Sequence, residues 1–158
     1  MAHGELATRT GELAARQDRH SFSYAHSGPK GDSDAPLSRS DLELLDDVLI
    51  EAERVTGLRF TAYIGNLGTD TRATAESLLT SLGAQAPMAV LVAVSPGQRV
   101  VEVVTGGEAA RRITDRAARL AVMSVTSACG LGEVGNGLVN GLRILADQAG
   151  TLPDRTTW

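Results

Sequence analysis

The chain has 158 residues, 42% of them hydrophobic and 22% charged, with a formal net charge of −4 at pH 7, a length and composition that hold one hydrophobic core. The acidic balance and an aromatic content of only 3% exclude the basic, ring-rich surface that phosphate backbones and stacked bases require. No window approaches the roughly 18 apolar residues that span a bilayer and no basic, apolar leader opens the sequence, so a cytoplasmic protein without nucleic-acid or membrane partners is expected.

Residues 1–37 are poor in large apolar side chains, rich in Ser, Gly, Asp, Arg and His, and end near the breaker run Gly28-Pro29-Lys30-Gly31-Asp32. They read as a flexible polar tail. Within it Leu6 to Arg16 has the makings of a weak helix, and the alternation of Phe22 and Tyr24 with serines suits an edge strand over Ser21 to Ala25. A folded domain is expected over 38–150 and a short second tail over 151–158.

Ser40 followed by Glu43 fits a capping box, and Leu42, Leu45, Val48, Leu49, Ala52 and Val55 recur at helical spacing before Gly57, which predicts a helix over about 41–56. Leu58 to Ile64 alternates as a strand does, and Gly65-Asn66-Leu67-Gly68 ends it. A second helix over about 70–82 buries Ala75, Leu78, Leu79 and Leu82 and stops at Gly83. Met88 to Val94 is a continuous apolar run of the kind covered on both faces. After the turn Ser95-Pro96-Gly97-Gln98, the β-branched stretch Arg99 to Val104 follows so closely that it pairs as a hairpin. The first two strands, joined by a helix, should be parallel through a right-handed crossover.

Thr114-Asp115 opens a third helix to about Cys129, apolar nearly all round after Leu120 and therefore expected to be buried. A fourth helix over about 134–149 presents Val134, Leu138, Leu142, Leu145 and Ala149 on one side, interrupted by Gly137 and Gly141. An interior glycine costs about 1 kcal/mol against alanine, so another element is expected to come close there.

Function is constrained by elimination. All three histidines (His3, His20, His26) and the lone lysine, Lys30, lie in the tail, which leaves the domain without a His general base, a Ser-His pair, a Schiff-base lysine or a phosphate-loop lysine. The single Cys129 makes no internal disulfide, lacks a His partner and ends an apolar helix, where it reads as a small hydrophobe. Chemistry falls to carboxylates, Arg, hydroxyls, backbone amides or a hard cation held by oxygens, with zinc and soft metals disfavoured.

The best candidate site is the loop at the carboxyl end of the first strand, with Gly65, Asn66, Gly68, Thr69, Asp70 and Thr71 as candidate ligand-binding residues, because free amides and the dipole at a helix N-terminus attract anions. Asp70 serves equally as an N-cap and repels an anion. Glu102, among valines on the third strand, either lies on a solvated edge or, paired with Arg59 or Arg99 or turned toward a crevice, carries function. Asp115 reads first as an N-cap, and Asp70, Glu102 and Asp115 form a candidate metal set for Ca²⁺ or Mg²⁺. Glu43, Asp47 and Glu51 line up on the first helix, and Arg112, Arg116 and Arg119 make a basic stripe at the third. Both stripes are solvated faces or partner-docking surfaces.

The order helix, strand, helix, apolar strand, hairpin strand, two helices resembles the TPM domain, carried here by Phe60 to Ile64, Ala89 to Val94, Arg99 to Gly107 and Ile113-Thr114-Asp115. AYIGNLGTDTRATAESLL and AVLVAVSPGQRVVEVVTG look like an actinobacterial domain of unknown function related to TPM, a likeness covering about residues 40–148. The resemblance implies an α/β fold: a three-layer α/β/α sandwich with a mixed, mainly parallel sheet of about 3–4 strands and about four helices. It also implies acid-phosphatase activity or divalent-cation binding, as in some TPM proteins, or an assembly or quality-control role, as in others. Its acidic carry-over positions would be Asp70, Glu102, Glu108 and Asp115. The reading that fits the residues best is a non-catalytic module for an unknown protein or a small anionic ligand, and the alternative is a metal-assisted acid phosphatase.

Overall fold

The computed structural model describes residues 37–151. The expected helix over Leu6 to Arg16, the strand over Ser21 to Ala25 and all but the first residue of the C-terminal tail lie outside the described residues, whereas Leu37 is buried in the core.

Helix α1, Arg39–Thr56, begins on a capping box two residues earlier than the sequence predicts. Ser38 Oγ accepts from the Asp41 amide, and the Asp41 carboxylate accepts from the Ser38 amide. Aspartate at the third helical position closes the box as well as the expected glutamate, which leaves Ser40 and Glu43 inside the helix. Gly57, at φ 77°, caps the other end, a left-handed conformation that glycine adopts without penalty. Strand β1, Arg59–Ile64, then leads through a loop to α2, Thr71–Thr80, and a 3₁₀ segment, Gly83–Met88.

Strands β2, Ala89–Ser95, and β3, Val100–Thr105, form the expected hairpin. The sheet order is β1-β2-β3. β1 pairs parallel with β2, Phe60 opposite Val90, and β2 pairs antiparallel with β3, Val92 opposite Val103. With one pairing of each kind the sheet is mixed, and the expectation of a mainly parallel one is corrected.

The period-2 alternation of strands sorts the core into two clusters. Phe60, Ala62, Ile64, Val90, Val92, Val94 and Val103 pack with residues of α1, of α3 (Asp115–Gly130) and of α4 (Val134–Ala149). Tyr63, Leu91, Ala93 and Val104 pack with Ala75, Leu78 and Leu79 of α2 and with Leu67. The central β2 is buried at every position. Each fully buried Leu, Ile or Phe contributes about 1.5–3 kcal/mol.

The glycines of α4 do what their position requires. A Cβ on Gly137 would sit 2.8 Å from Ala128 Cβ, and one on Gly141 would sit 2.6 Å from Val125 Cγ2, so α3 rides in the groove they leave. That close seam corrects the expectation that α3 is buried all round. Only Ala117, Ala121 and Val125 are buried, at the four-residue spacing of one narrow strip. Leu120 is 48%, Met123 65% and the following Leu131 74% exposed. Small residues on both helices let the backbones meet along one line, and among the described residues the far side of α3 stays exposed.

The expected basic stripe is also broken. Arg112, next to the short 3₁₀ turn Ala109–Arg111, turns inward. Its guanidinium donates to the carbonyls of Thr56 (2.6 Å), Ala149 (3.0 Å), Gly150 (3.1 Å) and Thr151 (3.1 Å), with Nε also reaching Ala149 at 3.2 Å. It clasps the carboxyl ends of α1 and α4, where orphan carbonyls and the helix dipole favour a cation.

Candidate functional site

Because β1 and β2 are parallel, the loop after β1 and the turn after β2 emerge at the same edge of the sheet. The Gly65 amide still donates to Val94 O at 3.0 Å, and the chain then turns. Asn66 Oδ1 accepts from the Gly68 amide at 2.6 Å, and Tyr63 OH donates to Asn66 O at 2.9 Å. Gly68 sits at φ 73°. The buried Leu67 anchors the loop beneath α2.

A side chain the sequence reading passed over joins loop and turn. Gln98 Oε1 accepts from the Leu67 amide (2.8 Å) and from Ser95 Oγ (2.7 Å), while its Nε2 donates to Gly68 O (2.7 Å). Nothing local marks it, since its partners Leu67 and Gly68 lie about thirty residues away and a glutamine bonded to a serine three residues back is unremarkable in a turn. Next to it Arg99 holds φ 56°, a left-handed backbone that costs a non-glycine residue about 1 kcal/mol or more.

The carboxylates of this edge are committed. Asp70 caps α2, accepting from the Ala73 amide at 3.0 Å. Glu102 pairs with neither Arg59 nor Arg99: its Oε2 accepts from Thr71 Oγ1 at 2.8 Å, and Arg72 Nη1 stands 3.4 Å from its Oε1. The same Arg72 nitrogen donates to Val103 O at 2.8 Å, so Glu102 and Arg72 fasten the start of α2 to β3. Asn66, Gly68, Thr69 and Asp70 are exposed.

Asp115 stands elsewhere. Thr114, not Asp115, is the N-cap of α3, its hydroxyl accepting from the Ala117 amide at 3.1 Å. Asp115 is exposed in the first turn of a helix packed with the other cluster. The structure thus brings Asp70, Thr71 and Glu102 together at α2 and leaves Asp115 apart. Among the described residues no group of three His, Cys, Asp or Glu side chains is placed to hold a metal ion. Glu108 is exposed beside Arg111 at 3.9 Å.

Two concavities are lined by described residues. One of about 340 Å³ adjoins the β2–β3 turn, lined by Ser95, Pro96, Arg99, Val101, Thr126 and Cys129. Burial pushes the Cys129 thiol above its ordinary value of 9.0, so it stays protonated near neutrality and is a poor nucleophile. The other, about 480 Å³, is a groove between α1 and α4 with Leu44, Val48, Ala52, Val55, Leu142 and Ala146 at its base and Asp47, Glu51, Arg143 and Asp147 around it. Arg54, bonded to Glu51 at 2.6 Å, holds that carboxyl below the usual range.

Residues 7–146 match the family described as a domain of unknown function, DUF5130. The chain belongs to that family. Two uncharacterised Mycobacterium tuberculosis proteins, MT2543 of strain CDC 1551 / Oshkosh and Rv2468c of strain ATCC 25618 / H37Rv, are each 40% identical to it over 118 residues, covering 75% of this chain and 69% of theirs. Solved structures share the fold of this DUF5130 domain at low identity. The N-terminal domain of cg2496 from Corynebacterium glutamicum matches with a TM-score of 0.63 at 10% identity over 89% of this chain and 90% of that one. The BA42 protein of Bizionia argentinensis matches at 0.64 and 14% over 72% and 81%, and an N-terminal domain from P. gingivalis at 0.63 and 16% over 71% and 75%. Among the described residues no helix is long and apolar enough to cross a membrane.

Proposed function

We propose that this DUF5130 domain is a non-catalytic module that binds a protein partner or small ligand, built as a three-layer α/β/α sandwich of the TPM kind. Helices on both faces of the sheet support the architecture. The observation that carries the function is how the reactive groups at the carboxyl edge are employed. Glu102 is bonded to Thr71 and Arg72, Asp70 caps α2, and the Leu67 and Gly68 amides are taken by Gln98 and Asn66. An acid-base pair needs a side chain left to exchange protons with a substrate, and a phosphate cradle at this loop would have to do without the Leu67 and Gly68 amides.

An NMR titration of the ¹⁵N-labelled chain with Ca²⁺, Mg²⁺ and inorganic phosphate, run beside a phosphomonoester hydrolysis assay, tests this reading. We expect no metal-dependent turnover. Metal-dependent hydrolysis that Asp70→Ala or Glu102→Gln abolishes, with saturable shifts confined to residues 65–71, would establish the phosphatase instead.

A further inference from the structure

Resting on the reading of this domain as a binding module, we infer that its partner is a second copy of the same chain, with α3 of each copy seated in the α1–α4 groove of the other. The outer side of α3 presents Arg116 and Arg119, then Leu120 and Met123, all exposed. This apolar strip, at three-residue spacing, is of the kind that seats in a groove on a partner. The groove between α1 and α4 is its chemical complement. Its base is aliphatic, and its flanks carry Asp47, Glu51 and Asp147 against the single Arg143, with Arg54 bonded to Glu51. On α3 the cations stand beside one carboxylate, Asp115. Arginine facing carboxylate across an apolar centre gives both attraction and register.

The topology makes the contact reciprocal. α4 packs on α1 along one flank and on α3 along the other, so groove and strip lie on the same helical layer on either side of one helix. A two-fold axis over α4 seats both strips at once, and such an isologous arrangement closes as a dimer rather than a chain.

Sedimentation velocity tests this at about 100 µM chain, where a dimer of micromolar affinity is nearly saturated. The wild-type protein should sediment at twice its 16.5 kDa mass. Met123→Asp, at an exposed position, should halve that mass while circular dichroism stays unchanged. Arg116→Glu with Arg119→Glu should give a monomer, and Asp47→Arg with Glu51→Arg another. An equimolar mixture of these two variants should restore the dimer, because in a reciprocal interface each altered strip meets an altered groove and each native strip a native one. A wild-type monomer, or a mixture that stays monomeric, overturns the second-copy assignment and leaves the binding-module reading standing. That reading falls separately, on metal-dependent turnover.

Discussion

Replacing Arg112 with methionine keeps the unbranched apolar stem and removes every guanidinium bond. Four carbonyls lose a donor, but Thr151 is exposed and Gly150 half-buried, so their carbonyls regain water at less cost. The Thr56 and Ala149 carbonyls, at the ends of α1 and α4, carry the effect. A hydrogen bond from a charged donor contributes about 1.5–3 kcal/mol, so two of them put the loss near 3 kcal/mol. For a domain of this size that lowers Tm by roughly 10 °C. Lysine places one point charge where a planar fork spans two helix ends, so Arg112→Lys should recover only about half the loss, given about 1.5 kcal/mol per remaining charged bond. Urea denaturation followed by circular dichroism measures both. Loss of less than about 0.5 kcal/mol in Arg112→Met, the range of ordinary surface changes, or full recovery by lysine would refute the clasp.

Gly137→Ala and Gly141→Ala should each destabilise despite better helix propensity, since overpacking costs about 1–3 kcal/mol against a propensity gain of about 1, and thermal melts that rise would contradict the seam. Gly106→Ala should be the most damaging glycine change, because its Cβ would overlap the backbone carbonyl oxygens of Ala86 and Pro87, which have no side-chain freedom to yield; soluble, natively folded protein at normal yield would overturn this. Gln98→Ala leaves the buried Leu67 amide without its partner, a loss of about 1–3 kcal/mol, and should speed hydrogen exchange at Leu67 well before the β2 amides. Cys129 should alkylate slowly at neutral pH, its rate climbing with pH along a titration displaced above 9.0; an inflection at or below that value would show the thiol to be better solvated than the structure has it.

The fold was largely legible because its signals are local and periodic. The alternation in Phe60 to Ile64, the unbroken apolar run of β2 and the short Ser-Pro-Gly-Gln turn each constrain a segment without reference to the rest. Even the α3–α4 seam was visible in Gly137 and Gly141, whose presence inside a helix demands a neighbour. What escaped depends on partners distant in sequence. Arg112 reads as a member of a surface stripe because helical spacing says nothing of four carbonyls that arrive from the ends of α1 and α4 and from the two residues after α4. Gln98 had no signal at all. Leu120 and Met123 are exposed although α3 is apolar on nearly every side, because a seam of alanines and glycines encloses only one of those sides. At the candidate site, Asp70 as a cap was readable from its place before α2, but Glu102 required the α2–β3 contact, which no short window contains.

The amide of Gln98 also changes what kind of surface the carboxyl edge can be. With one side chain gripping the loop at both Leu67 and Gly68 and the hairpin at Ser95, the two segments are mechanically a single piece. A rim of that sort has little entropy left to lose when something docks on it. It is also poorly suited to close over a guest as a lid does, because neither segment can swing without breaking the bonds that hold the other. Whatever meets this edge meets a shape already set, and variation in the loop during evolution would have to be answered in a hairpin thirty residues away.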